Sequence, residues 1–203
     1  MKARRDRILD VAVALAEEGG FENVRQRDVA ARAGVALGTL YKSFRSKEDI
    51  LSAALDREAE MLERRLEDKP TTGATSIERV AGLFSLMTRG LCKKPKYARA
   101  VLRAMASGEP EVAGKVAAYQ ERITGLIIAA MRGVGRLSYA DIKASPPSTK
   151  EAMMAASLQQ FWFASLVGWS AGLLGVNAVI EQMRWVTAVL ERGIDDEPRE
   201  RSR

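Results

Sequence analysis

The sequence contains no histidine and only one cysteine, Cys92, among its 203 residues. The absence of histidine excludes a serine or cysteine nucleophile activated by an imidazole, and it removes the commonest metal ligand. A single cysteine forms neither an internal disulfide nor a thiolate metal site, and no basic-then-apolar signal segment opens the chain. We therefore expect a cytoplasmic protein that has no metal and no cofactor.

Long apolar runs and phosphate-binding glycine motifs are missing as well. The most apolar run, residues 161–176, is interrupted by serine and glycine, and it is shorter than the ~20 residues that a membrane span needs. It is therefore predicted to be a buried helix, with no membrane partner. Neither GxxxxGK[ST] nor GxGxxG occurs, so no nucleotide cradle supports an enzyme, although chemistry by carboxylates alone stays open.

Prolines are few, and they separate long segments that have helical periodicity and start signals. The pattern [ST]-x-x-[DE], in which a side-chain oxygen accepts a free N–H at a helix start, occurs at Ser46–Asp49, Thr75–Glu78 and Ser148–Glu151. No segment favours a strand, so the fold is predicted to be all-α. The predicted helices lie near residues 3–18, 25–32, 36–43, 46–67, 75–92, 95–107, 110–132, 148–174 and 177–192, with a loop over 133–147.

The first fifty residues have the pattern of a helix-turn-helix. Apolar residues at helical spacing form one face of the first helix, and the glycine pair at 19–20 ends it. A short second helix follows, and Gly34 then turns the chain. On the third helix, Leu40 and Phe44 stand four residues apart and are predicted to pack inward.

The other side of this third helix is chemically unusual. Gly38, Thr39 and Lys42 lie opposite the apolar face, with Leu37 and Tyr41 at its flank. Glycine within a helix costs about 1 kcal/mol relative to alanine, so stability does not explain its presence. A glycine allows close approach to a groove, hydroxyl and ammonium groups suit phosphates, and leucine suits a thymine methyl group. A helix pair that serves only the core is the simpler alternative, but it leaves the absence of acidic residues on this side unexplained.

The formal net charge of +6 permits a polyanionic partner without requiring one. The position of the basic residues is more informative, because many lie in an N-terminal arm or around the third helix. They are Lys2, Arg4, Arg5, Arg25, Arg27, Lys42, Arg45 and Lys47.

The segment RILDVAVALAEEGGFENVRQRDVAARAGVALGTLYKSFRSKEDIL resembles the DNA-binding domain of the TetR family of bacterial transcriptional regulators. The motif G-V-x-x-G-T-L-Y-x-x-F-x-S-K-E is present in full over residues 34–48. The resemblance implies contacts with double-stranded operator DNA, and two positions depart from the family because Arg25 and Ala36 replace the usual Ser or Thr caps. The implied DNA-binding residues are Arg25, Gln26, Arg27, Ala36, Leu37, Gly38, Thr39, Tyr41, Lys42 and Lys47.

The resemblance also implies the domain organisation. Residues 1–47 are expected to form the three-helix DNA-binding domain, and residues 48–193 a helical ligand-binding and dimerisation domain. Residues 194–203 are expected to be a charged, disordered tail. The segment FWFASLVGWSAGLLGVNAVIEQMRWVTAVLERG, residues 161–193, is similar to the sterol-catabolism repressors of the same family.

The last two predicted helices have faces suited to pairing with a second chain as a homodimer. Small residues at i, i+4 and i+8 allow close helix approach, large residues lie beside them, and the last helix has a matching apolar face. The alternative is that these stripes fill the core of a single chain. The predicted dimer residues are Ala164, Gly168, Trp169, Gly172, Met183, Val186 and Leu190.

A pocket for a small, largely apolar effector is also expected from the resemblance. Methionines adapt to varied apolar shapes, although each apolar residue taken singly is as well explained by plain core packing. The predicted lining residues are Phe84, Met87, Leu91, Met105, Tyr119, Ile123, Leu126 and Phe163.

Three classes of function compete at this stage. The first is a ligand-responsive transcriptional repressor, the second is a non-specific or architectural DNA-binding protein without an effector, and the third is an enzyme with a buried apolar site. The missing histidine and nucleotide motifs argue against the third class. Preference for one DNA sequence over random DNA separates the first two.

Overall fold

A computed structural model describes residues 2–195, which form ten α-helices and one 3₁₀ turn. No strand occurs in this part of the chain, as the all-α prediction requires. The helices are α1 (Lys2–Gly19), α2 (Gln26–Arg32), α3 (Leu37–Ser43), α4 (Lys47–Asp68), α5 (Ser76–Cys92), α6 (Pro95–Met105), α7 (Pro110–Arg132), α8 (Tyr139–Ala144), α9 (Thr149–Ser170) and α10 (Val176–Asp195), with the 3₁₀ turn at Phe21–Asn23.

The chain divides into two compact units. The first unit comprises Met1–Leu62 with Gly90–Arg122, and the second comprises Glu63–Arg89 with Ile123–Arg203. The boundaries of these units differ from those of the expected domains, residues 1–47 and 48–193. The expected domain boundary stays a prediction. Of the expected tail, residues 194 and 195 end α10, and residues 196–203 lie outside the described part of the chain.

In the first unit, α1, α2 and α3 enclose a small apolar core. Four side chains of this core are at most 2% exposed: Ile8, Val29, Leu40 and Phe44. The predicted inward face of α3 is therefore confirmed. Gly34 adopts a left-handed φ of 62° between α2 and α3, a conformation that side chains other than glycine rarely take. The short turn at this residue fixes the angle at which α3 leaves α2.

In the second unit, α9 packs against both α5 and α10. The indole Nε1 of Trp162 donates a hydrogen bond of 2.9 Å to Thr88 Oγ1, and both side chains are buried. The Trp162 ring also lies 5.8 Å from the ring of Phe84. Across the α9–α10 pair, Ser165 Oγ donates to Gln182 Oε1 at 3.1 Å. The apolar run 161–176 is therefore buried on one side only: Trp162, Ser165, Leu166 and Trp169 are buried, whereas Phe161, Val167 and Leu173 are exposed.

The three predicted start signals all act at helix starts. The hydroxyl oxygen accepts the backbone N–H three residues later in each case: at 3.1 Å for Ser46 and Asp49, 3.2 Å for Thr75 and Glu78, and 3.1 Å for Ser148 and Glu151. The reciprocal bond from the acidic side chain to the cap residue's own N–H forms at Ser148, at 2.9 Å. At the other two sites the acidic side chain accepts instead from Arg45 N and Ala74 N.

Two predictions of secondary structure were wrong. Residues 139–144 form α8 rather than loop, and Ser138 caps this helix with Asp141 in the same pattern. The helix predicted over 148–174 ends at Ser170, because Gly172 takes a left-handed φ of 79° and turns the chain toward α10. No helix between residues 2 and 195 combines the length and apolar character that a membrane span requires.

Candidate functional site

The outward surface of α3 has the chemical character that the sequence predicted. Leu37 and Tyr41 are 39% and 50% exposed. Gly38 and Lys42 are exposed beside them, and Thr39 is half-buried. A β-carbon added at residue 38 would have no other heavy atom within 4 Å, so this surface is open to a partner. The helix itself is held from behind by buried Leu40.

The first helical turns of α2 and α3 lack side-chain caps, as the two departures from the family pattern predicted. Arg25 and Ala36 occupy the N-cap positions in extended backbone conformation, and neither side chain accepts a hydrogen bond from its helix. Arg25 is exposed, and Arg27, with a side chain 70% exposed, lies 3.5 Å from Asp28. Backbone N–H groups at helix starts are natural partners of phosphate oxygens.

Gln26 has a structural contact. Its Nε2 donates a hydrogen bond of 3.1 Å to the carbonyl oxygen of Phe44, which connects the start of α2 to the end of α3. A basic recess of about 430 Å³ lies beside this contact. Its lining residues are Glu22, Val24, Arg25, Gln26, Arg45, Ser46, Lys47 and Glu48.

Lys47, at the first position of α4, is held by two neighbours in the 3₁₀ turn. Its Nζ lies 3.0 Å from Glu22 Oε2 and 4.0 Å from the centre of the Phe21 ring. The hydrogen bond from Lys47 lowers the pKa of the Glu22 carboxyl, and Arg103 of α6 adds to the shift. This cluster could not be predicted from the sequence, because Glu22 and Arg103 are far from Lys47 along the chain.

The turn between α3 and α4 is anchored from α7 within the same unit. Asp49 is 4% exposed, accepts a hydrogen bond from Arg45 N at 2.9 Å and forms an ion pair with Lys115. Two cations lie near the ring of Phe44, with Arg5 at 5.1 Å and Lys115 at 5.2 Å from its centre. These contacts fix the start of α4, and therefore Lys47, relative to α3.

The residues predicted to line an effector pocket are all buried or half-buried. Three of them belong to the first unit and five to the second. Leu91, Met105 and Tyr119 belong to the first unit, where burial raises the pKa of Tyr119. The rest belong to the second unit: Phe84, Met87, Ile123, Leu126 and Phe163. All eight residues stay a prediction as a ligand site. Within the described residues no group of three or more Cys, Asp or Glu side chains is placed to hold a metal ion.

The predicted dimer residues stay a prediction, and two of them are buried within the single chain. Met183 is completely buried and Trp169 is 7% exposed, because both side chains pack inside the chain's own helices. The small residues Ala164 and Gly172 are exposed, and Val186 and Leu190 are half-buried. Sequence reasoning missed four large apolar side chains that are exposed on α9 and α10, namely Met153, Val167, Trp185 and Val189, and Phe161 and Leu173 are exposed on α9 and the turn after it.

Comparisons with known proteins agree with this geometry. A family model described as bacterial regulatory proteins of the tetR family matches residues 8–54. The HTH-type transcriptional repressor KstR of Rhodococcus jostii is 34% identical over 168 residues, which cover 83% of this chain and 73% of that protein. KstR of Mycolicibacterium smegmatis is 27% identical over 198 residues, which cover 98% of this chain and 91% of that protein.

Solved structures share the fold over nearly the whole chain. A TetR transcriptional regulator from Rhodococcus sp. RHA1 has a TM-score of 0.78 at 22% identity and covers 96% of this chain and 98% of its own. Thermus thermophilus FadR, a TetR-family repressor in complex with lauroyl-CoA, has a TM-score of 0.73 at 18% identity, with 98% and 99% covered. The family is one of regulators and not of enzymes, which removes the enzymatic alternative. The chain belongs to the TetR family of bacterial regulatory proteins and is a helix-turn-helix transcriptional regulator.

Proposed function

We propose that this chain is a cytoplasmic, ligand-responsive repressor that binds a palindromic operator as a homodimer and is released by a small, largely apolar effector. The observation that carries the proposal is the outward side of α3, where Leu37, Tyr41 and Lys42 are exposed above a fully buried Leu40. Exposed apolar and basic groups without carboxylates suit the major groove, where side chains read base edges and phosphates hold the register.

Each predicted DNA-binding residue has a role in this proposal. Leu37 and Gly38 approach base edges, and Leu37 offers an apolar contact to a thymine methyl group. Thr39, Tyr41 and Lys42 contact phosphates, as Lys47 does from the start of α4. Arg25, Arg27 and the backbone at Ala36 lie at helix starts suited to phosphate, and Gln26 holds α2 against α3 through Phe44 while it faces the DNA.

The dimer surface is proposed on the exposed apolar side of α9 and α10. Trp185 is 66% exposed and Val189, one turn later, is 43% exposed. Leu173, in the turn before α10, is 80% exposed. Contiguous large apolar groups on a surface mark an interaction site, and two copies of one helix pair form a four-helix interface. The exposed small residues Ala164 and Gly172 lie on the same two segments and allow close approach.

The dimer matters for DNA recognition because one recognition helix covers only half of an operator. Two α3 helices about 34–36 Å apart enter successive major grooves on one side of the duplex. A conformation that changes this spacing lowers operator affinity, and an effector that binds such a conformation better shifts the population toward it. Residues 1–47 are proposed as the DNA-reading part and residues 48–193 as the part that binds effector and partner chain.

The effector is proposed to be lipid-like or an acyl thioester. The chain has the fold of a FadR structure that contains lauroyl-CoA. Its own apolar residues Phe84, Met87 and Phe163 lie in the second unit, where Met87 is 6% exposed and Phe163 is half-buried. Flexible methionine and aromatic side chains suit an acyl chain or a sterol-like ring system.

The alternative is a non-specific or architectural DNA-binding protein without an effector. Selection of bound fragments from random DNA by the full chain separates the two. A repressor recovers a palindrome whose half-sites are about one helical turn apart, and an architectural protein recovers no shared sequence. Recovery of a single, non-repeated half-site would retain specificity but contradict the homodimer.

A further inference from the structure

Phe21 and Glu22 of the 3₁₀ turn hold two cations that come from different helices. Lys47 at the start of α4 and Arg103 in the last turn of α6 lie 4.0 Å and 4.2 Å from the centre of the Phe21 ring. Lys47 Nζ is 3.0 Å from Glu22 Oε2, and Arg103 Nη1 is 2.8 Å from Glu22 Oε1. We call these four residues the Glu22 cluster, and all of them belong to the first unit.

The two cations contact different oxygens of the Glu22 carboxylate, so Lys47 can move away from Glu22 while Arg103 stays bound to it. The side chains of Glu22 and Arg103 are 67% and 61% exposed, whereas that of Lys47 is 27% exposed. Lys47 is therefore the more constrained of the two cations. It is also the one for which the proposed function requires a phosphate contact.

The charge of the cluster shows what Arg103 contributes. With both cations present the cluster carries one excess positive charge, and this charge is available to a phosphate. Without Arg103, Lys47 and Glu22 form a neutral pair, and the carboxylate repels an approaching phosphate while it retains the lysine. Without Glu22, both cations are released toward the polyanion.

We propose that Arg103 is a positioning residue for operator binding: it neutralises Glu22, so that Lys47 can leave the carboxylate and meet a DNA phosphate. This inference rests on the proposed function, since it deepens the role of Lys47 in DNA binding. It places a residue of α6 in control of a contact at the start of α4. Arg103 does not need to touch DNA for this effect.

The test is a double-mutant cycle with Arg103→Ala, Glu22→Gln and the double variant. Affinities are measured on the duplex recovered from random DNA and on a random-sequence duplex of equal length, at several salt concentrations. Arg99→Ala, one turn earlier on α6, is the matched control for loss of one positive charge. Arg103→Lys tests rescue, because lysine keeps the charge that pairs with Glu22. Thermal unfolding checks that each variant folds.

We expect Arg103→Ala to weaken DNA binding about tenfold and to lower the salt slope by about one unit, as loss of the Lys47 phosphate contact would. Glu22→Gln should strengthen binding, and the double variant should stay within about twofold of Glu22→Gln with the slope restored. Arg103→Lys should stay within about threefold of the unchanged chain, and Arg99→Ala should show no coupling to Glu22→Gln.

Additive effects in the cycle would overturn the proposal, because they would mean that Arg103 acts on DNA directly or only through overall charge. An unchanged affinity in Arg103→Ala would overturn it as well. Failure of the proposed function has a different signature: the unchanged chain would bind both duplexes equally. The cycle could then still be evaluated on the random duplex, since phosphate contacts do not depend on base sequence.

Discussion

Gly168 of α9 lies directly against Leu174, so that a β-carbon on residue 168 would come within 3.1 Å of Leu174 Cδ1. The small side chain therefore allows a close approach within one chain, between the end of α9 and the turn to α10. We expect Gly168→Leu to lower the free energy of unfolding by about 1–3 kcal/mol through overpacking, whatever the oligomeric state. Urea denaturation measures this loss. Gly90→Leu, at an exposed helix position with no heavy atom nearby, is the control and should cause no such loss.

The homodimer is better tested on the exposed side of α10. Trp185→Glu places a charge on a side chain that is 66% exposed, so the fold of the chain should persist while the apolar contact is lost. We expect sedimentation at micromolar concentration to show a dimer for the unchanged chain and a monomer for this variant. Met61→Glu makes the same change at an exposed apolar residue of α4, 52% exposed, and should remain a dimer. If the unchanged chain sediments as a monomer, the proposed homodimer is contradicted.

The contacts of α3 with DNA separate into positioning and base reading. Lys42→Ala should weaken binding to all sequences about equally and lower the salt slope by about one unit, because one phosphate contact is lost. Leu37→Ala should instead change the preference at one base position and leave the slope unchanged. Lys143→Ala, a charge-matched change on α8, should alter neither. Equal loss of preference in Lys42→Ala and Leu37→Ala would contradict the assigned roles.

The effector and the operator should oppose each other's binding by the same factor. Coupling of about 1–3 kcal/mol corresponds to a 5- to 150-fold loss of operator affinity, and linkage requires the same loss of effector affinity when operator is present. Calorimetric titration with lauroyl-CoA, free coenzyme A and lauric acid, with and without operator, measures both. Phe163→Ala should weaken acyl binding and leave operator affinity unchanged. Tight acyl binding whose affinity is the same with and without operator would show that this site does not control repression.

A pH-dependent contribution to stability is expected from the ion pair between Arg132 and Glu151. Arg132 Nε and Nη2 lie 2.8 Å and 3.0 Å from the two Glu151 oxygens, and this pairing lowers the pKa of Glu151 to about 2. Because the folded pKa lies below the ordinary value of 4.5, the stabilisation is complete above about pH 4.5 and is lost as the pH falls toward 2.

Glu151→Gln should therefore lower the free energy of unfolding at neutral pH by about 1–2 kcal/mol, a value reduced for partial exposure of the pair. The difference from the unchanged chain should vanish near pH 2. Glu121→Gln, at an exposed position, removes the same charge and should have little effect at either pH. An equal loss at both pH values would mean that Glu151 acts through packing rather than charge.

Much of the helical architecture could be predicted because its signals are local. Caps such as Ser148, turns such as Gly34 and the inward pair Leu40 and Phe44 depend on residues within four positions of each other. The short helix α8 was missed although Ser138 and Asp141 fit the same capping pattern, because a helix of six residues gives too short a periodic signal.

What the sequence could not predict is which side of a helix meets which neighbour. On α9 and α10, Trp169 and Met183 point into the chain and Trp185 points outward, a choice made by tertiary packing. The Glu22 cluster is a second case, because its hydrogen bonds join residues that are distant in sequence. Periodicity predicts that one face of a helix is buried, but it does not predict which neighbouring element packs against that face.

The central claim is specific recognition of a palindrome by two copies of the chain. Competition binding at physiological salt, between the duplex recovered from random DNA and the same duplex with scrambled half-sites, tests it most directly. We expect a preference of about 10³-fold or more, with two chains bound per duplex. A ratio near one, with binding that depends on salt but not on sequence, would contradict it.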